Sequence, residues 1–205
     1  MKTLAALAAL FLALDVHAAG FLLAGERVRF DEHQKPQLSA RQIGATSGAL
    51  REGLTRWAAT PRGAALVRKF DTAEYEIEIF EQAIEGGSGE APQPGIATLF
   101  GAGNREKLKR YTLVLNSDFR PPSNVTFPIH DRPANAADIM AAAWAAEMLH
   151  IDFYSRGISL PHHSRADFQS EWRDVAAQLG YPAMRHGDDD DHIYGRRGAT
   201  VIFWR

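Results

Sequence analysis

Apolar residues fall at helical spacing between residues 39 and 70, then at every second position from Tyr75 to Phe80. In the first stretch Ile43, Leu50, Leu54 and Trp57 suit one or two amphipathic helices over Ser39 to Ala58. Thr60-Pro61 reads as a new helix start, with Thr60 as cap and Pro61 in the first turn, where its missing N–H costs nothing. That helix carries Ala64, Leu66, Val67 and Phe70. Tyr75-Glu76-Ile77-Glu78-Ile79-Phe80 has the alternation of a half-buried strand. Phe21 to Phe30 alternates weakly and fits a short strand or an extended arm.

Glu85 to Gly95, rich in Gly, Pro and Ser, reads as a loop. Ile96 to Phe100 and Tyr111 to Leu115 read as an antiparallel pair joined by the charged turn Gly101 to Lys109. After a proline-rich stretch from Arg120 to Pro133 comes the strongest helix signal of the chain. Asn135 is a good N-cap, Asp138 three residues on can reach back to it, and Gly157 supplies a stop, so the helix runs over Ala136 to Ser155. Ser164 to Leu179 forms another helix with Phe168, Trp172, Val175 and Leu179 on one face, and Ala199 to Trp204 can form a final strand. No repeat or linker interrupts the chain. The pattern predicts one α+β domain over residues 20–205, with a small mixed or antiparallel sheet packed on a central helix.

The first 19 residues change where this domain is expected to work. Lys2, the apolar run Leu4 to Leu14, and Val16-His17-Ala18-Ala19 have the three parts of a cleavable signal peptide, with the cut after Ala18 or Ala19. The run is too short for a stable span, which takes roughly 20 apolar residues. Without cysteine the chain can carry no lipoprotein anchor, no disulfide framework and no thiolate metal site. The expectation is an extracytoplasmic, periplasmic or secreted domain held by packing alone, with no stable membrane insertion. A formal net charge of −2 with mixed signs gives no reason to expect nucleic acid, and Asp188 to Asp191 reads as a solvated loop.

Chemistry concentrates on the central helix, at Ala146-Glu147-Met148-Leu149-His150. This segment resembles the active-site helix of zincin-like metallopeptidases, which bind zinc through two histidines four apart and use the glutamate after the first as general base. Glu147 matches the base and His150 the second histidine; Ala146 stands where the first would be. Asp152 fits the polar position that often follows such a motif. Thr60-Pro61-Arg62-Gly63 with Leu66 and the next strand is similar to the helix–strand entry of these domains. Gly101 to Asn116 is similar to the edge strands that precede their active-site helix. The resemblance covers about residues 50 to 180.

The alanine is a departure with chemical consequences, because catalytic zinc takes three protein ligands and an open position for water. Glu147 and His150, three apart, share one side of a helix and could ligate together, with His162, His163 or His130 completing the set. Glu147 would then be a ligand and no longer a free base. The competing reading of His150 is a hydrogen-bonded core histidine near Trp144 and Tyr154, and that of His162-His163 is plain surface exposure in a proline-bearing loop. No serine sits in a Gly-x-Ser-x-Gly elbow, and Gly101-x-Gly103 lacks the third glycine of a nucleotide fingerprint. Two functions therefore stand. One is a zincin-like protein with a degenerate or rearranged metal site, zinc being the metal implied. The other is a non-enzymatic binding protein whose partner is a protein or peptide.

Overall fold

The computed structural model describes residues 20–82, 95–100, 109–116, 126–127, 132–133, 135–158 and 164–180. The leader expected over residues 1–19, His130, His162, His163 and the strand expected at Ala199 to Trp204 lie outside the described residues.

The weakly alternating start resolves into three short strands: β1 (Gly20–Leu23), β2 (Glu26–Arg27) and β3 (Arg29–Phe30). Ala24 and Gly25 join β1 to β2, both with positive φ (52° and 78°), as a two-residue hairpin turn of matching twist requires. β3 pairs with β4 (Pro36–Gln37) in a separate two-stranded sheet.

The stretch read as one or two helices is two, each with its own serine cap. Ser39 and Gln42 form a capping box for α1 (Ala40–Ala45), and Ser47 accepts from Leu50 N at the start of α2 (Gly48–Ala58). The break explains why Ile43, which shares the helical spacing of Leu50, is 47% exposed: it belongs to a different helix axis. Thr60 caps α3 (Pro61–Phe70), its Oγ1 accepting from Gly63 N and donating to the Trp57 carbonyl at 2.7 Å. This corner is tight. A Cβ at Gly63 would stand 1.9 Å from that same carbonyl oxygen.

β5 (Tyr75–Gln82) extends two residues past its sequence expectation. β6 (Gly95–Phe100) and β7 (Lys109–Asn116) pair antiparallel, as the sequence indicated. The main sheet has the order β2-β1-β5-β7-β6, with β1, β5 and β7 mutually parallel and an antiparallel strand at each edge. It is a mixed sheet. One face, carrying Phe21, Leu23, Ile77, Ile79, Tyr111, Leu113 and Leu115, is buried in the core. On the other side Glu76, Glu78, Thr112 and Val114 are half-buried and Phe80 is 41% exposed. β8 (Thr126–Phe127) and β9 (Arg132–Pro133) form a third small pair before the last two helices.

α4 (Ala136–Ser155) occupies the expected residues, with Asn135 and Asp138 capping each other and Gly157 (φ 77°) beyond its end. It is buried on every side from Ala137 to Phe153, packed against α2, β6, β7 and α5 (Ala166–Gln178). Five alanines, Ala141, Ala142, Ala143, Ala145 and Ala146, keep it thin enough for that position. The closest approach is to α2, where a Cβ on Gly53 would lie 2.6 Å from Met140 Cβ and 2.8 Å from Ala141 N. The fold is α+β in a single domain. Among the described residues no helix is long and apolar enough to cross a membrane.

Candidate functional site

The side chains of α4 divide by spacing into stripes. Met140, Trp144 and Asp152, four and eight apart, face α2 and α3. Trp144 meets Trp57 edge-on with ring centroids 5.4 Å apart, and among the described residues neither indole N–H finds a hydrogen-bond partner. The second stripe runs through Ala143, Ala146, His150 and Phe153. Here Phe168 of α5 closes on both rings, 4.9 Å from His150 and 5.1 Å from Phe153.

Ala146, Glu147 and His150 are each 4% exposed. Glu147 and His150 lie one helical turn apart on neighbouring positions of the same side, as their spacing required. Both make interactions, so neither is an unpartnered buried group. Buried Asn116 at the end of β7 and Gln169 on α5 are likewise engaged.

Asp152 does not join them. Its carboxylate, only 3% exposed as a residue, turns to α3 and accepts from Arg62 Nη2 at 3.0 Å and from Lys69 Nζ at 2.5 Å, and it pairs with Arg156 Nη2 at 3.0 Å. Glu171 of α5 binds Arg62 and Arg156, and Lys69 also donates to Ser155 Oγ at 2.7 Å. Arg156 lies over the Phe153 ring at 3.9 Å. The cations gather at the C-terminal end of α4, where the helix dipole favours positive charge. This ties α3, α4 and α5 together, and the position that looked like part of the motif is structural.

The same holds at the other end, where Asp138 caps the helix and pairs with Arg56 at 2.5 Å. The cluster around Asp152 escaped the sequence reading, although Asp152 and Arg156 are four apart on one helix and Arg62 and Lys69 seven apart on another. Nearby, burial first and then the charges of Tyr75 and Asp152 push the Tyr111 hydroxyl up to about 12.

The metal set expected from the sequence was His150, His162 and His163 with Glu147. Of these the described residues bring together Glu147 and His150 alone. Among the described residues no three of His, Cys, Asp and Glu lie close enough to hold a metal ion. Two donors are fewer than the three protein ligands zinc takes, so the described residues do not by themselves fit zinc, and no chemical step can be routed through it. A buried carboxylate beside a buried imidazole can still exchange a proton, the ordinary capacity of such a pair. No family model, curated protein or solved structure matches this chain.

Proposed function

We propose that this chain is a zincin-like protein that has lost hydrolytic power, its motif-bearing helix retained as the core of an extracytoplasmic domain. The observation that carries the reading is the setting of Ala146. It lies one turn before His150 and beside Glu147 on a fully buried helix, and that helix follows an antiparallel edge pair in chain order. A methyl group stands where a ligand would be needed. Without a metal, Glu147 has no acidified water to deprotonate, and a carboxylate alone offers about 10²–10⁴-fold as a general base.

Calorimetric titration of zinc tests this in the wild type, in Ala146→His and in His150→Ala. The expected result is weak binding to the wild type and a gain in Ala146→His. Tight wild-type binding that vanishes in His150→Ala would instead establish a rearranged working site. If neither protein binds, the zincin resemblance fails, and a non-enzymatic partner-binding domain takes its place. The extracytoplasmic part has its own readout: mass spectrometry of the exported product should find a terminus at Ala19 or Gly20, and a retained Met1 would overturn it.

A further inference from the structure

The first residue of β1 is pressed against an acid. Gly20 N donates to the Thr72 carbonyl at 3.1 Å, and a Cβ on this glycine would stand 2.5 Å from Asp71 Oδ1 and 3.3 Å from Asp71 Cα. Glycine suits the position twice over, through that close approach and through its φ of 55°. A backbone nitrogen lies about 2.4 Å from its own Cβ, so the Gly20 nitrogen is within about 5 Å of the carboxylate.

This corner has unmet demand for positive charge. Asp71 is the C-cap of α3, and the free carbonyls at a helix C-terminus favour a cation. Arg27 meets Asp71 through Nη2 at 2.9 Å, while its Nη1 has no hydrogen-bond partner among the described residues, so the pair is not the closed bidentate kind. Burial pushes the Asp71 carboxyl above its ordinary value, outweighing the pull of Arg27 and Arg29. The Thr72 hydroxyl is also buried without a hydrogen-bond partner among the described residues.

The expected leader ends at this point, with the cut after Ala18 or Ala19. Hydrolysis of the Ala19–Gly20 bond puts the hydroxyl of water on the Ala19 carbonyl carbon and its proton on the Gly20 nitrogen, which takes one more proton from solvent. The peptide N–H thereby becomes an α-ammonium with three donors, one of which can keep the bond to Thr72. A cut after Ala18 leaves Gly20 a neutral peptide and moves the charge one residue away, about 3.8 Å along the chain.

We infer that the leader is removed at the Ala19–Gly20 bond and that the new α-ammonium of Gly20 pairs with Asp71 beside the C-terminal end of α3. Maturation then fastens β1 to the α3–β5 corner. The inference rests on the extracytoplasmic reading, and its test separates the two.

Mass spectrometry of the exported protein should find Gly20 as the terminus. A retained Met1 overturns the extracytoplasmic reading and this inference together, whereas a terminus at Ala19 overturns this inference alone. The pairing itself is read in mature chains prepared to begin at Gly20 or at Ala19. Acetic anhydride at pH 7 should label the Gly20 amine about tenfold more slowly than in Asp71→Asn, because each unit added to the ordinary α-amino value leaves about tenfold less free amine. Asparagine keeps an oxygen acceptor and removes the charge. The wild-type chain beginning at Gly20 should also melt about 2–4 °C above the one beginning at Ala19, a comparison that needs no substitution. Equal labelling with and without the Asp71 charge, or equal melting of the two wild-type forms, would reject the pairing.

Discussion

Toward α2 and α3, the helix α4 presents Met140, Trp144 and Asp152; toward α5 it presents His150 and Phe153. The first side is built by close approach and compensated charge. Gly53 lets two backbones nearly touch, Trp57 fills the space beside Trp144, and three cations answer one carboxylate. The second side is built from smaller groups: alanines, one imidazole and the Phe168 ring that covers it. The two sides are equally buried, yet charge is used differently on each. At Asp138 and Asp152 arginine and lysine neutralise the buried carboxylate, whereas Glu147 shares its side of α4 with a buried histidine. Equal burial therefore does not imply equal role. A buried acid matched by fixed cations belongs to the architecture; one placed beside a histidine on a thin stretch of helix is the candidate for chemistry.

The comparison breaks most visibly at Trp144. Trp144→Ala should cost about 3–5 kcal/mol in urea denaturation, because the emptied space faces a backbone contact that cannot collapse. Trp144→Phe should cost less than Trp144→Ala, since it keeps an aromatic ring and the indole N–H has no hydrogen-bond partner among the described residues. Equal losses for the two variants would refute that account.

Asp152→Asn comes next, at about 1–3 kcal/mol. The loss stays below the usual figure for a broken buried pair because Arg62, Lys69 and Arg156 are about a third exposed, and Glu171 still holds two of them. High salt should weaken the wild type toward the variant. A variant as stable as wild type would show that the cluster is ornamental.

On the opposite side, Ala143→Leu should overpack the thin stretch and cost about 1–3 kcal/mol, and an unchanged melting temperature would count against tight packing there.

The smallest effect needs alkaline pH. The folded state holds the Tyr111 proton more firmly than the unfolded chain does, so this contribution is intact below about pH 10 and is lost as pH rises toward 12. The fall is on the order of 2 kcal/mol. Tyr111→Phe should remove that part of the decline while lysine and other tyrosine titrations continue; a parallel decline in both proteins would assign it elsewhere.

Local chemistry was legible in the sequence. Asn135, Asp138 and Gly157 marked both ends of α4, and the three-residue gap from Glu147 to His150 placed them on one side. What depends on distant partners was not. Nothing in the weak alternation of Phe21 to Phe30 says that β1 runs parallel to a strand more than fifty residues away. Gly53 reads as an ordinary helix glycine until Met140 is brought against it. Asp152 fitted a motif by position, but its direction was decided by Arg62 and Lys69, whose placement depends on the α2–α3 corner. Spacing determines which side of a helix a residue takes, and the packing of other elements determines what that side meets.

The parallel pairing of β1 with β5 also has a consequence in time. Gly20 stands opposite Glu76, so the first strand, although β2 can pair with it at once, waits for 56 further residues before its parallel neighbour is made. At about 5–20 residues per second that delay is about 3–11 s. Throughout it Phe21 and Leu23, among the most deeply buried side chains of the finished protein, have no core to enter. The nascent chain therefore carries its first apolar strand with only the short β2 beside it until β5 has been made.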